Sequence, residues 1–97
     1  MDRLKRIAAM EEKLNSSRAA LRALEKALED YRAAAADIRS LSEYLSGGDW
    51  RADFEADEAG LIPAELPRGV LSEDGIYDLL QENDEVRKAL RAMAEAQ

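Results

Sequence analysis

Between Leu4 and Leu45 the chain runs for more than forty residues without a proline or glycine. Apolar or small side chains recur there every three and four positions. Numbered as a heptad from Ile7, the a positions are Ile7, Leu14, Leu21, Leu28, Ala35 and Ser42, and the d positions are Met10, Ser17, Leu24, Tyr31, Ile38 and Leu45. A seam of this period lets a long helix lie against another helix. Ala20, Ala27, Ala34 and Leu41 fill the g positions and widen the stripe towards the face of a helical bundle. One helix over residues 1–46, capped by Asp2, follows. It would be about 66 Å long, more than one small core requires, so something must cover it. Asn15-Ser16-Ser17 is its weakest point, because short polar side chains compete for backbone hydrogen bonds.

Two glycines after Ser46 end that helix. Asp49 is then expected to cap a short helix over 49–59, stopped by Gly60, with Trp50 and Phe54 one turn apart on one face. The aromatic pair would plug the open end of a hairpin near Tyr44 and Leu45. Residues 60–71 read as an ordered Pro/Gly connection. Pro63 and Pro67 hold their predecessors extended, and Leu66-Pro67-Arg68-Gly69 has the residue order of a type I turn. Ser72 is expected to cap a helix over 73–96, with Glu73 and Asp74 favouring its positive end. Ile76, Leu79, Asn83, Val86, Leu90 and Met93 repeat along it at heptad spacing, Asn83 being placed to fix register or to sit at the rim. The fold expected is all-α and single-domain, a helical hairpin or coiled coil. A long N-terminal helix would pair with an antiparallel C-terminal one, and a short aromatic-bearing helix would connect them. The C-terminal helix, about 36 Å long, leaves much of the first uncovered, and a homodimer would bury the remainder.

Composition narrows the chemistry. The 97 residues include no Cys and no His. Thiolate sites, disulfides, His-based triads and the commonest zinc ligand are therefore excluded. No apolar run approaches the roughly 20 residues of a membrane span and no signal-peptide core follows the charged N-terminus, so the expected compartment is the cytoplasm. The net charge of −7 is uneven: residues 1–46 carry nine basic and eight acidic side chains, residues 47–97 five and thirteen. An acidic second half repels phosphate, which argues against nucleic acid as a partner.

The stretch from Trp50 to Pro63, WRADFEADEAGLIP, together with LPRGVLSEDGIYDLL from Leu66 to Leu80, resembles a family of short bacterial proteins catalogued as Domain of Unknown Function 4298. The resemblance extends over the long helical half and so over nearly the whole chain. The family usually carries a basic residue before the Arg-Gly pair, where Pro67 stands here, so a reading that needs two adjacent cations is weakened. The resemblance implies the helical fold and brings no activity, substrate or cofactor with it.

Three function classes fit these residues. The preferred one is a non-catalytic cytoplasmic interaction module: Leu21, Leu24 and Leu28 form its seam, and Trp50, Phe54, Arg68, Gly69, Ser72 and Tyr77 serve as structural residues around its acidic half. The second is an all-α nucleotide hydrolase, with Asp53, Glu55, Asp57, Glu58 and Asp74 holding a divalent cation such as Mg²⁺. That cluster loosely resembles the Glu-x-x-Glu helices of all-α nucleotide pyrophosphohydrolases. However, the companion Glu-x-x-Asp fails because Ile76 stands three after Glu73, and no EF-hand spacing occurs. A solvated acidic face is the plainer reading, with no cofactor. The third is an acidic phosphate mimic that binds a basic partner. Arg68 is expected to pair with Asp53, Asp57, Glu73 or Asp74, and Tyr31 and Tyr77 to pack with a wet hydroxyl.

Overall fold

The structure, a computed structural model, describes residues 2–96. Among these the fold is all-α, in the element order α1 (Arg3–Ser46), α2 (Gly48–Glu58), a 3-10 turn (Gly69–Leu71) and α3 (Gly75–Glu95). A long N-terminal helix, a shorter second helix and a C-terminal helix make up this fold, with no strand among the described residues. Two compact units divide the chain, the first ending at Ala36 and the second beginning at Asp37.

The first unit is α1 alone. Ala, Leu, Glu, Lys and Arg dominate it, all strong helix formers. Its first hydrogen bond runs from the Arg6 N–H to the Asp2 carbonyl, 2.9 Å, and the helix continues through Asn15-Ser16-Ser17. Lys26 and Asp30 form an exposed i,i+4 ion pair at 3.1 Å, worth a few tenths of a kcal/mol. None of the helix's residues is buried.

The second unit begins with the last turns of α1. The Ser46 hydroxyl donates to the Ser42 carbonyl at 3.0 Å, and the Gly47 N–H to that of Glu43 at 3.0 Å. Gly47 alone separates α1 from α2. Its backbone is extended, φ −86° and ψ 175°, not left-handed, and a Cβ there would lie 3.1 Å from the Glu43 carbonyl oxygen. Gly47, not Asp49, is the N-cap residue of α2, and no side chain caps that end. Asp49 lies inside the first turn, where the helix dipole favours its charge. The other end matches a Schellman motif: Gly60 at φ +76°, with Gly60 N–H bonded to the Asp57 carbonyl and Leu61 N–H to that of Ala56, both 3.0 Å.

The connection differs in detail from the expected turn. The reversal falls three residues earlier, at Pro63 to Leu66, closed by Leu66 N–H to the Pro63 carbonyl at 3.1 Å. Arg68 to Ser72 then wind into the 3-10 turn through Leu71 N–H to Arg68 O at 2.9 Å and Ser72 N–H to Gly69 O at 3.2 Å. α3 starts at Gly75, two residues later than expected. Even so, the Ser72 hydroxyl accepts the Gly75 N–H at 3.1 Å while donating to Gly69 O at 2.8 Å. Glu73 and Asp74 precede the helix, and Asp74 is its N-cap residue without a side-chain cap. The tertiary packing of this unit passes through the 3-10 turn, which touches both α2 and α3. Its core is Leu71 and Ile76, 8% and 4% exposed. Leu79, Leu80 and Asn83 are half-buried and Val86, Leu90 and Met93 exposed, so the apolar row of α3 is covered only over its first turns.

Gly75 is where this packing is tightest. A Cβ there would lie 2.6 Å from Ser72 Oγ and 2.9 Å from Gly69 O, whereas one at Gly48 would meet nothing. Gly75→Ala is expected to lower unfolding stability by roughly 1–3 kcal/mol, and Gly48→Ala to leave it unchanged or slightly raised. Equal urea midpoints for the two variants would contradict this packing.

Candidate functional site

Two places in the molecule carry features beyond generic helix surface. One is the junction in the second unit where α2, the 3-10 turn and the end of α1 meet. The other is the apolar row of α1 within the first unit.

At the junction, the i, i+4 spacing of α2 stacks Trp50 on Phe54, with ring centroids 5.1 Å apart and planes 18° from parallel. The Trp50 indole N–H donates to the Val70 carbonyl at 2.9 Å, which ties α2 to the 3-10 turn across twenty residues of sequence. Next along the same helix, Asp53 accepts the Tyr44 hydroxyl at 2.6 Å, and Asp57 accepts Arg68 at 2.5 Å in a half-buried ion pair. Arg68 also donates to the Ala64 carbonyl at 3.4 Å. Of the four acids Arg68 could have reached, then, the fold selects Asp57. Tyr44, Asp53, Ile62, Leu66, Arg68 and Leu71 are among the residues that line a shallow cleft of about 270 Å³.

The hydrogen bond to Asp53 holds the Tyr44 phenol in its neutral form and pushes its pKa up from 10.0 to about 12, with burial and then the charges of Asp53 and Asp49 adding to the effect. That phenol therefore keeps its proton throughout the neutral range. With Asp57 neutralised by Arg68, the cleft offers apolar walls, a protonated hydroxyl and a paired rim. Such a lining suits an apolar side chain better than a charged substrate.

The remaining expected residues separate into those brought together and those left apart. Trp50, Phe54, Arg68, Gly69 and Ser72 all take part in the junction. Tyr77 does not; it is 54% exposed, contrary to the packing role expected, because α3 turns it outward one residue after Ile76. Its hydroxyl accepts Gln81 at 3.2 Å. Asp53, Glu55, Asp57, Glu58 and Asp74 do not converge: among the described residues no group of three or more carboxylates is placed to hold a metal ion. Asp53 and Asp57 are engaged by Tyr44 and Arg68, Glu55 and Glu58 are exposed, and so the residues present do not fit the cation site. Tyr44 was the functional neighbour missed as a hydrogen-bonding group, although its place one turn before the Gly-Gly break was a usable signal.

In the first unit, Leu21, Leu24 and Leu28 are 60%, 49% and 45% exposed, and Ile7, Met10 and Leu14 are exposed with them. No helix among the described residues is long and apolar enough to cross a membrane.

A family model described as Domain of unknown function (DUF4298) matches residues 7–93. The chain belongs to this family. The DUF4298 match takes in both places described above, the apolar row of α1 and the whole junction. No curated protein and no solved structure matches the chain.

Two measurements test the junction. Removing Asp57 and Arg68 singly and together should give a coupling energy of about 1 kcal/mol, since the pair is half-buried; additive losses would mean that the pair holds nothing. The Tyr44–Asp53 bond belongs to the folded state and raises the phenol pKa. Its contribution is therefore complete below pH 10 and lost as pH rises to about 12. Following phenolate absorbance with pH, Asp53→Asn should move the highest-pH tyrosine transition downward, and Tyr44→Phe should remove it.

Proposed function

We propose that this chain is a non-catalytic, cytoplasmic interaction and assembly module that associates through the heptad face of α1, with the homodimer as its basic form. The observation that carries the reading is the exposure of Ile7, Met10, Leu14, Leu21, Leu24 and Leu28 in one row of a single helix. A lone helix gains little from such a row in water, and contiguous apolar surface of this kind marks an interaction face. Burying it against a second helix would return about 25 cal/mol per Å² covered. The acidic second half would stay at the surface, where it keeps the assembly soluble and presents a charged face to a basic protein partner.

Sedimentation equilibrium tests this directly. The wild-type chain should show a concentration-dependent mass rising to that of a dimer. Leu21→Glu with Leu24→Glu should leave it monomeric, with its helical circular dichroism reduced but the Gly75-dependent second unit still folded. A wild type that stays monomeric up to millimolar concentration would end the reading.

A further inference from the structure

Resting on the proposed self-association, we infer that two copies of this chain pair antiparallel along α1, in a register that sets Glu11 against Arg32 of the second copy and Arg18 against Glu25. The inference comes from the charges that flank the apolar row. In the heptad that begins at Ile7, the charged e positions within the first unit are Glu11, Arg18, Glu25 and Arg32, all exposed, and Arg39 continues the row. The g positions are Arg6, Lys13, Ala20, Ala27, Ala34 and Leu41. An antiparallel pair brings e against e and g against g. Glu11 and Arg32 lie symmetrically about a point between Leu21 and Arg22, and so do Arg18 and Glu25. One register therefore satisfies both pairs, and the two-fold symmetry repeats them. On the other edge of the seam, alanines take up half of the g row and leave Arg6 and Lys13 with no like charge opposite.

A parallel pair fares worse. It would bring g against the following e, matching Arg6 with Glu11 but forcing Lys13 against Arg18, with Ala20 and Ala27 opposite Glu25 and Arg32. The ion pair observed within α1, Lys26–Asp30, lies at f and c positions, away from the seam, and so does not compete for these charges. Connectivity favours the same sense. In an antiparallel pair the two copies of residues 47–97, five basic against thirteen acidic side chains each, follow α1 from opposite ends of the seam. In a parallel pair they would emerge side by side, and like charges at short range oppose association.

Charge reversal separates the two senses. Arg18→Glu would set like charges together at two places in the antiparallel pair, and should weaken the dimer dissociation constant about tenfold. In a parallel pair the same change would turn a repulsion into an attraction and tighten it. Arg18→Glu with Glu25→Arg should restore wild-type affinity to within about threefold. Arg22 lies one turn after position 18, so the single variant keeps its helix, which circular dichroism checks. Because the chain has no cysteine, a spin label on Lys5→Cys reports the sense independently. The labels of an antiparallel dimer should be roughly 50 Å apart along the axis, and those of a parallel one about 20 Å. Tightening by Arg18→Glu, or the short distance, would overturn the antiparallel register while leaving self-association intact. A monomeric wild type would overturn both.

Discussion

The second unit depends on the docking of three residues. Gly69, Val70 and Leu71 form a turn too short to be stable alone, since a single 3-10 turn fixes several dihedrals for one or two hydrogen bonds. It persists because each residue is held from outside. The Val70 carbonyl takes the Trp50 indole proton, the Gly69 carbonyl takes the Ser72 hydroxyl, and the Leu71 side chain is buried. Arg68, immediately before the turn, is anchored on Asp57. Both α2 and α3 touch this turn, so a change that releases it would uncouple both helices at once.

A core this small has consequences for the whole chain. Two buried aliphatic side chains, Leu71 and Ile76, remove little apolar surface from water. Helix formation alone adds little, because isolated helices are marginal in water even when their residues favour them. The apolar rows of α1 and of the later turns of α3 are exposed in the single chain. Association is where such surface can be used, and stability would then rise with protein concentration.

What could be read from the sequence follows the range of the interactions involved. The order and type of the helices were legible because propensity and 3.6-residue periodicity are local, and Gly47, Gly60 and Ser72 marked their boundaries to within two residues. The Trp50–Phe54 stack was legible for the same reason. What escaped were choices made in three dimensions. Asp49 has a capping side chain, but the single-residue link at Gly47 puts it inside the helix. The order Leu66-Pro67-Arg68-Gly69 suits a type I turn, yet docking of Val70 and Leu71 pulls Gly69 into the 3-10 turn and moves the reversal back to Pro63. Arg68 had four carboxylates in reach by sequence, and only the geometry of α2 selects Asp57. The acidic cluster looked dense along the chain, but Asp53 and Asp57 are engaged singly by Tyr44 and Arg68, Glu55 and Glu58 are exposed on α2, and Asp74 stands apart at the start of α3.

The composition of the α1 row also sets the strength that association can have. Four leucines, Ile7 and Met10 share the row with Ser17, and Ala20, Ala27 and Ala34 stand in the adjoining g row, so the layers around these small residues bury less than the leucine and isoleucine layers of a permanent coiled coil. Small residues let the two backbones approach closely, but they add little transfer free energy, about 0.8 kcal/mol per buried CH₂. The charged e positions therefore govern specificity more than affinity. In the proposed dimer, a seam of modest affinity would leave the single charge-satisfied register to select the partner, and assembly would rise with the concentration of the chain.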